Sequence, residues 1–537
     1  SGPILALPDR PTTVQGTVQV TNPSANILQI LQSSPQAIIN WNSFNIGARE
    51  TVRFLQPSNV SAVLNRVTGG DPSVILGMLQ ANGRVFLVNP NGILFGPGSV
   101  VDVGSFVATT LNMSDSDFLS GHFNLIQAPD RTLASIVNQG TIKVSEGGFI
   151  TLVSPLIHND GLILAQSGQV QLGATRQATF SVDGKGLTQF AVADGFGQTQ
   201  STSTPGTVLM TTGQVSTLLT QVVKNPGIVE AGDLQGGAAP NTVAAVGSEG
   251  LLVNSGTIRV DGSNGKTAGT IGLDSSQATV LTQGSVLSAN SQGTAGTIRA
   301  LSAGTTVSAG EIQARSTGKG DGGFVEVSAP KVNVTSGVDV GSQAGRQGTF
   351  LLDPTNIAIV DDSNPAGGTG GSVVTTGAIS ATTGSLALSA TNNVTYNTTG
   401  GFTASSTDLS VTAGNDIVFT STGSLGITTQ SLNLNAGRNL TLASTGDLGL
   451  QTGTSGLTLQ GQSTNLQAQG GALNFQSGGA LHVSGATVNV SAGTDLTLSS
   501  SGPLVVTASA GSATLNAGHI LTLNSQTDAI SVNANNG

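Results

Sequence analysis

Short β-type phrases return along this chain at nearly constant intervals, and this spacing limits its fold more than any other feature. Gly269-Thr270-Ile271 and Gly296-Thr297-Ile298 begin 27 residues apart, and Gly323 follows Gly296 by another 27. Further on, Ala390-Thr391-Asn392 and Ala413-Gly414-Asn415 begin 23 residues apart. Periods of this length with β-type units indicate a solenoid. We therefore predict an all-β fold, a right-handed parallel β-helix (β-solenoid) whose coils point Val, Ile and Leu inward.

The composition supports stacked strands better than a disordered chain. Charged residues make up 9% of the sequence, against the roughly 25% of ordinary soluble domains. The 75 glycines fit corners that need positive φ. Disordered tracts lack recurring apolar runs, whereas apolar residues here reach 37% and alternate with polar ones.

Charge and cysteine content exclude several classes of protein. The chain has no cysteine, which removes disulfides, thiolate metal sites and cysteine catalysis. Its formal net charge of −10, without a Lys/Arg cluster, predicts no nucleic-acid partner. No apolar run reaches 18 residues, so we expect no transmembrane helix. The first ten residues do not form a signal peptide, and the ending lacks a cap, so we expect a trimmed fragment of a longer protein.

A tight turn, Asn89-Pro90-Asn91-Gly92, lies at the centre of the segment Ile38–Leu111. Apolar β-forming runs flank it on both sides. Asn89 suits the first position of a β-turn, Pro90 presets φ for the second, and Gly92 closes the turn without steric cost. The pattern predicts two buried strands joined by one rigid turn.

Seven segments around this turn carry a family resemblance. They are Ile38 to Gly47, Val52 to Pro57, Val63 to Val67, Asp71-Pro72-Ser73, Ala81 to Arg84 followed by the turn, Gly96 to Ser99, and Val101 to Leu111. In this order and register the chain resembles, over roughly residues 1–250, the secretion domain of two-partner-secretion exoproteins, the filamentous-haemagglutinin family.

The resemblance implies a role in export. In this family residues 1–37 would cap the end of the solenoid, and residues 1–250 would be recognised by an outer-membrane β-barrel transporter. Asn89, Pro90, Asn91 and Gly92 would be the secretion motif. Many members carry an earlier Asn-Pro-Asn-Leu motif, whereas this chain has Gln56-Pro57-Ser58-Asn59. Contacts assigned to that earlier motif are therefore not carried over.

The pattern predicts four regions. These are the two-partner-secretion (haemagglutination-activity) domain at 1–250, continuing coils at 251–350, a boundary or Gly-rich loop at 351–371, and a repetitive shaft at 372–537. Residues 176–224 interrupt the rhythm. There, Val215, Leu218, Leu219, Val222 and Val223 follow helical spacing, which predicts a short helix or an extra-helical hairpin.

The sequence contains no convincing catalytic or metal-binding pattern. Gly318 to Gly323 satisfies a G-x-G-x-x-G pattern, but no helix follows it to hold a pyrophosphate. His122, His158, His482 and His519 are far apart, and Asp361-Asp362 fits a solvated loop better than a calcium site. We therefore predict no catalytic residue, no metal ligand and no cofactor.

We expect a secreted or cell-surface filamentous adhesin that passes through the periplasm. It would mediate attachment or biofilm-matrix and cell–cell adhesion through carbohydrate binding, with exopolysaccharide or host glycan as ligand. Two alternatives stay open: a β-helical polysaccharide lyase or hydrolase, and a purely structural matrix spacer. The sequence does not locate a ligand-binding surface.

Overall fold

A computed structural model describes residues 7–128, 134–183, 186–192, 222–225, 228–230, 242–247, 250–263, 265–362, 372–526 and 529–534. These residues fall into two compact units, one ending at Ala303 and the other beginning at Gly304. Each unit is a parallel β-solenoid, which confirms the predicted fold class. The predicted region limits at 250, 350 and 371 stay predictions, and residues 363–371 of the predicted loop lie outside the described ranges.

The first unit is built on three parallel sheets, one along each side of the coils. The first sheet consists of Thr12–Gln15, Gln36–Trp41, Ala62–Val67, Arg84–Val88, Ser105–Thr109, Phe149–Ser154, Gln169–Ala174, Thr242–Gly247, Thr270–Ser275 and Thr297–Ser302. The second consists of Ser73–Ile75, Ile93–Phe95, Ser135–Asn138, Leu156–Asn159, Val222–Asn225, Leu251–Asn254 and Ala278–Leu281. The third consists of Val18–Ser24, Ile27–Gln32, Thr51–Leu55, Met78–Ala81, Val100–Val103, Thr141–Val144, Leu162–Leu164, Ile228–Glu230, Thr257–Arg259 and Val286–Ser288.

Two N-terminal strands run against the direction of the rest. Thr12–Gln15 pairs antiparallel with Gln36–Trp41, and Val18–Ser24 pairs antiparallel with Ile27–Gln32. They cover the strand edges that an open first coil would expose. This is the predicted N-terminal cap.

The repeated phrases stack in register, as their spacing predicts. Thr270 pairs with Thr297 and Ile271 with Ile298, and the inward Ile271 and Ile298 are fully buried. Ile136-Val137-Asn138 pairs in the same way with Ile157-His158-Asn159. At the corner of those coils, Asn138 Nδ2 donates to Asn159 Oδ1 at 2.7 Å.

A fourth, antiparallel sheet lies beside the coils of the first unit. It contains Asn112–Met113, His122–Ile126, Gln177–Asp183 and Gly186–Val192, and helix α1 (Asp115–Ser120) precedes its second strand. Ser114 caps α1 by accepting from the Asp117 backbone N–H, and Gly121 ends it with a φ of +72°. The predicted extra-helical elements are therefore present. We call this sheet with α1 the side sheet.

The predicted helix at residues 215–223 is wrong where the structure describes it. Val222 and Val223 lie in the strand Val222–Asn225, which pairs in parallel with Leu251–Asn254. Pairing with neighbouring coils overrides the local 3.6-residue spacing. Val215, Leu218 and Leu219 lie outside the described residues. The alternative, an antiparallel hairpin, is found earlier, at Gln177–Asp183 and Gly186–Val192.

The second unit has a similar coil with a more regular core. Its first sheet consists of Phe324–Ser328, Thr349–Leu352, Gly384–Ala390, Phe402–Ala413, Leu425–Ala436, Leu448–Thr452, Leu457–Gln460, Leu473–Ser477, Leu481–Gly485, Leu496–Ser500, Leu504–Ala508, Leu521–Ser525 and Ile530–Ala534. Its second consists of Thr305–Ser308, Lys331–Val334, Ile357–Val360, Ser372–Thr375, Val394–Thr398, Ile417–Ser421, Asn439–Ser444, Ser463–Ala468, Thr487–Ala492 and Ala513–Ala517. The third contains Glu311–Gln313 and Val338–Asp339.

The coil changes shape after residue 340. Helix α2 (Thr376–Ala381), capped by Thr375, ends beside the last strand of the third sheet. The Val338 backbone N–H donates to Thr382 Oγ1, and Thr383 donates its own N–H to the Val338 carbonyl. Later in the unit, Leu425–Ala436 pairs with two strands of the next coil, Leu448–Thr452 and Leu457–Gln460.

Candidate functional site

The predicted turn is a tight hydrogen-bonded turn inside the first unit. The Gly92 backbone N–H donates to the Asn89 carbonyl at 3.1 Å, and Gly92 has a φ of +119°. The Asn91 backbone N–H donates to Asn89 Oδ1 at 3.0 Å, so the Asn89 side chain closes an Asx-turn. Only glycine adopts such a φ at little cost, which explains why the turn ends on Gly92.

Both asparagine side chains point into the protein and hold the preceding coil. Asn89 is fully buried, and its Nδ2 donates to the Asp71 carbonyl and to Ser73 Oγ, each at 3.0 Å. Asn91 Nδ2 donates to the Gly69 carbonyl at 2.9 Å. We call these three contacts with residues 69–73 the asparagine latch.

The backbone of the turn is tied to coils on both sides. The Asn89 N–H donates to the Thr109 carbonyl of the following coil, and the Ser73 N–H of the preceding coil donates to the Gly92 carbonyl, both at 3.0 Å. The four predicted site residues are thus one rigid unit. The amide groups of the two asparagines bind inside the molecule, and Pro90 is a half-buried ring beside a small cleft.

An aromatic cluster supports the strand that leads into the turn. Phe86 lies 5.2 Å from Phe118 of α1 and 5.0 Å from Phe123, between ring centres, and Phe123 stacks on Phe180 at 4.6 Å. All four rings are buried. The cluster fixes the side sheet against the coil that carries the turn.

Arg66 makes a second, polar connection to the side sheet. Its Nη2 donates to the Met113 carbonyl at 2.8 Å and to Asp115 Oδ1 at 2.6 Å. No local sequence pattern indicates these roles of Arg66 and Phe86. Their partners lie 32 to 49 residues further along the chain.

Gln56 is the structural residue that sequence analysis missed. It stands at the first position of Gln56-Pro57-Ser58-Asn59, where many family members have asparagine. Its buried Nε2 donates to Gln32 Oε1 and to the Ser61 carbonyl, and its Oε1 accepts from the Gly83 N–H. Gln56 therefore joins three consecutive coils. The glutamine side chain is longer than that of asparagine, so its amide reaches partners on the coils before and after its own.

The titratable residues considered as metal or catalytic candidates have separate structural partners. His158 Nε2 lies 2.7 Å from Asp160 Oδ1, and His122 Nδ1 lies 3.1 Å from Ser181 Oγ. In the second unit, Asp361 accepts from the Tyr396 hydroxyl at 3.1 Å and from Thr398. Among the residues with described positions, no group of three or more His, Cys, Asp or Glu side chains could hold a metal ion. In the same ranges no helix is long and apolar enough to cross a bilayer.

Comparison with known families decides the class of the first half. Residues 6–260 match the family described as the TPS secretion domain. The matched residues make up a little under half of the 537-residue chain. The predicted two-partner-secretion resemblance is confirmed, and the asparagine latch, Gln56 and the side sheet all lie inside the matched residues.

Several known proteins are similar to parts of the chain. A heme/hemopexin-binding protein of Haemophilus influenzae is 40% identical over 125 residues, which cover 23% of this chain and 13% of that protein. Another, from strain ATCC 51907 / DSM 11121 / KW20 / Rd, is 30% identical over 234 residues, which cover 42% of this chain and 23% of that protein. The chain therefore spans less than a quarter of the length of these relatives.

Two solved secretion domains also match. The HMW1 secretion domain from Haemophilus influenzae is 21% identical with a TM-score of 0.45, covering 87% of this chain and 99% of that one. The filamentous hemagglutinin secretion domain is 13% identical with a TM-score of 0.23, covering 98% and 99%.

Proposed function

We propose that residues 1–250 are the export module of a secreted or cell-surface filamentous adhesin, and that an outer-membrane β-barrel transporter carries the chain out of the periplasm. The family match over residues 6–260 supports the export route. The adhesin would act in attachment, in biofilm-matrix adhesion or in cell–cell adhesion, by binding exopolysaccharide or host glycan. We further propose that it works by binding and not as an enzyme.

The asparagine latch is the observation that carries the export proposal. Asn89 is fully buried, and both asparagine amides bind within the molecule, so the motif offers a rigid coil and not free side chains. Each coil of a solenoid contacts only its neighbours, so a coil that forms early can template the next as the chain emerges. We infer that the turn serves export by making this coil fold early and stay closed.

We do not extend the haem and hemopexin binding named for the relatives to this chain. The matched segments cover only 13% and 23% of those proteins. The polar, weakly charged composition of the shaft supports glycan hydrogen bonding instead, through Asn, Gln, Ser and Thr side chains.

An export assay tests the proposal. Asn89→Val and Asn91→Val should each lower the surface level of the protein strongly while transcript and periplasmic entry stay normal. The expected reason is that valine cannot donate to residues 69–73, so the coil closes late. Asn489→Val is the matched control, because Asn489 is an exposed asparagine in a strand of the second unit. Unchanged surface levels of the protein in both turn variants would contradict the proposed role of the turn in export.

Two further assays test the proposals that the protein is an adhesin and that it is not an enzyme. Cells that carry the exported protein should attach to polysaccharide-coated surfaces more than cells that lack it. A reducing-end assay on common polysaccharides, with and without calcium, should show no product. Cleavage of a polysaccharide would contradict the adhesin proposal and favour the alternative, a lyase or hydrolase.

A further inference from the structure

The second unit contains an open groove of about 530 Å³ at the place where the coil changes shape. Two sets of residues border it. One is the loop Gly341 to Gln347 with its neighbours Arg315 and Asp339, and the other is the polar corner at Asp408, Gln430 and Ser455. Its size falls within the range of ligand sites in proteins.

The loop is held in one conformation before any ligand arrives. The Ser342 N–H donates to Gln347 Oε1 at 2.9 Å, Gln347 Nε2 donates to the Ser342 carbonyl at 3.1 Å, and Ser342 Oγ donates to the Gly320 carbonyl at 2.7 Å. The adjacent Asp339 accepts from the Gly341 N–H and from Thr383 Oγ1, and pairs with Arg315 at 3.3 Å. Such preorganisation reduces the ordering cost of binding.

The polar corner is a ladder of side chains from three consecutive coils. Asp408 pairs in register with Ser431, whose hydroxyl donates to Asp408 Oδ1 at 2.8 Å. Gln430 donates through Nε2 to Thr454 Oγ1 of the next coil at 2.7 Å, and Ser455 follows Thr454. Neighbouring coils are about 4.8 Å apart, so the ladder offers hydrogen-bonding groups along an extended ligand that runs parallel to the stack.

The chemistry of the lining selects the kind of ligand. Every residue that borders the groove is glycine or has a polar side chain, and none is aliphatic or aromatic. Peptide-binding grooves use apolar pockets for anchor side chains, so this lining fits a chain of hydroxyl groups better. Asp339 and Asp408 against Arg315 give two negative charges and one positive, a formal charge of −1, on a protein of net charge −10. This charge disfavours acidic polymers.

We propose that this groove binds a polysaccharide chain without acidic groups, built of neutral or amino sugars, and that it is the glycan site of the second unit. The inference rests on the proposed adhesin function and gives it a location. The carboxylate of Asp408 and the amide of Gln430 bind sugar hydroxyl or amino groups, and the loop Gly341 to Gln347 closes one side.

Calorimetric titration of the full chain tests the groove with three probes: partly deacetylated chito-oligosaccharide, isomalto-oligosaccharide and oligoalginate. We expect saturable binding of an amino-sugar or neutral probe and weaker binding of oligoalginate. Gln430→Ala should lower the affinity for the bound probe about 5-fold, because one neutral hydrogen bond is lost. Ser455→Phe should lower the same affinity by about tenfold or more, because the phenylalanine ring fills the groove. Gln451→Ala is the matched control, since Gln451 is an exposed glutamine of the neighbouring strand that does not border the groove.

Three results would overturn the inference: no probe binds, oligoalginate binds best, or both groove variants bind like the unmodified chain. Far-ultraviolet circular dichroism checks that each variant is folded. The attachment assay separates this failure from failure of the proposed function. If cells attach equally well with Gln430→Ala and Ser455→Phe, the adhesin function stands and its site lies elsewhere. If the unmodified protein supports no attachment, the adhesin proposal fails as well.

Discussion

The two units share one architecture but hold their coils together in different ways. The first unit adds a cap, an aromatic side sheet, the asparagine latch and the Gln56 bridge to its stacked strands. From Gly384 onward, the second unit is a plain ladder in which inward Leu, Val and Phe residues, such as Leu434, Leu442 and Phe475, are fully buried. In the ladder each coil is stabilised by its neighbours alone. In the first unit, contacts such as Phe123 with Phe180 join residues 57 positions apart, so we expect it to unfold more cooperatively.

The chain supplies a separate optical reporter for each unit. Its one tryptophan, Trp41, is fully buried in the first unit, where Nε1 donates to Asn65 Oδ1 at 3.0 Å. Its one tyrosine, Tyr396, is buried in the second unit against Phe419, with 5.8 Å between ring centres. Trp41 fluorescence and Tyr396 absorbance can therefore follow the two units in the same urea titration.

The largest expected effect comes from Phe123→Ala. Its ring lies in the aromatic cluster against Phe86 and Phe180, and deleting a buried phenylalanine side chain costs about 3–5 kcal/mol. The Trp41 transition should move to much lower urea while the Tyr396 transition stays in place. The mirror variant Phe475→Ala should move only the Tyr396 transition. If Phe123→Ala moves both transitions equally, the two units unfold as one and the contrast between them is lost.

Asn89→Ala should have the next largest effect. It leaves the Asp71 carbonyl and Ser73 Oγ without their buried donor, a loss of about 1–3 kcal/mol in the free energy of unfolding of the first unit. Asn489→Ala is the control, because this exposed asparagine shares its hydrogen bond with Asn465 at the surface. We expect the control to change the midpoint by less than about 0.5 kcal/mol. Equal losses of unfolding free energy in the two variants would mean that the asparagine latch stabilises the protein no more than the exposed hydrogen bond between Asn489 and Asn465.

Alkaline pH should weaken the second unit through Tyr396. Burial raises the pKa of Tyr396 to about 12, and the charge of Asp361 beside its hydroxyl acts in the same direction. Below pH 10 both the folded and the unfolded states keep the proton. Between pH 10 and 12 the unfolded state releases it first, so stability falls by on the order of 2 kcal/mol.

Urea titrations at pH 9 and pH 11.5 check this prediction. In Tyr396→Phe, followed by circular dichroism, the second unit should lose less stability over that interval than in the unmodified chain. Parallel losses in the two proteins would assign the alkaline sensitivity to other groups.

The smallest effect is expected from Arg346→Gln. Arg346 pairs with Asp321 at 2.7 Å, and its side-chain hydrogen bond lowers the pKa of Asp321, yet the pair is open to solvent. Exposed ion pairs contribute little, and salt screens them. The Tyr396 transition should stay unchanged within error at low and at high salt. A clear salt-dependent shift would show that surface charges matter more in the second unit than its apolar ladder.

Much of the fold was predictable from local pattern, and the candidate site only in part. Pairing of Thr270 with Thr297 followed from the 27-residue spacing. The helix predicted through Val222 and Val223 failed because parallel pairing with Leu251–Asn254 overrides the local 3.6-residue spacing. The turn at Asn89 was predicted, but the hydrogen bonds from Asn89 and Asn91 to residues 69–73 were not. The aromatic cluster had no signal beyond scattered phenylalanines, whereas α1 is marked locally by the Ser114 cap and by Gly121 at its end.

The sequence by itself determined that this chain stacks as β-coils and that it carries a rigid turn ending on Gly92. Those features depend on alternation, spacing and local φ preferences, which are written in neighbouring residues. Only the tertiary structure decided that Asn89 and Asn91 turn inward, that Gln56 joins three coils, and that Arg315, Asp408 and Ser455 border one groove. The reason is that stacking places residues from different coils a few ångströms apart, and the partner of each side chain depends on the register of the whole stack.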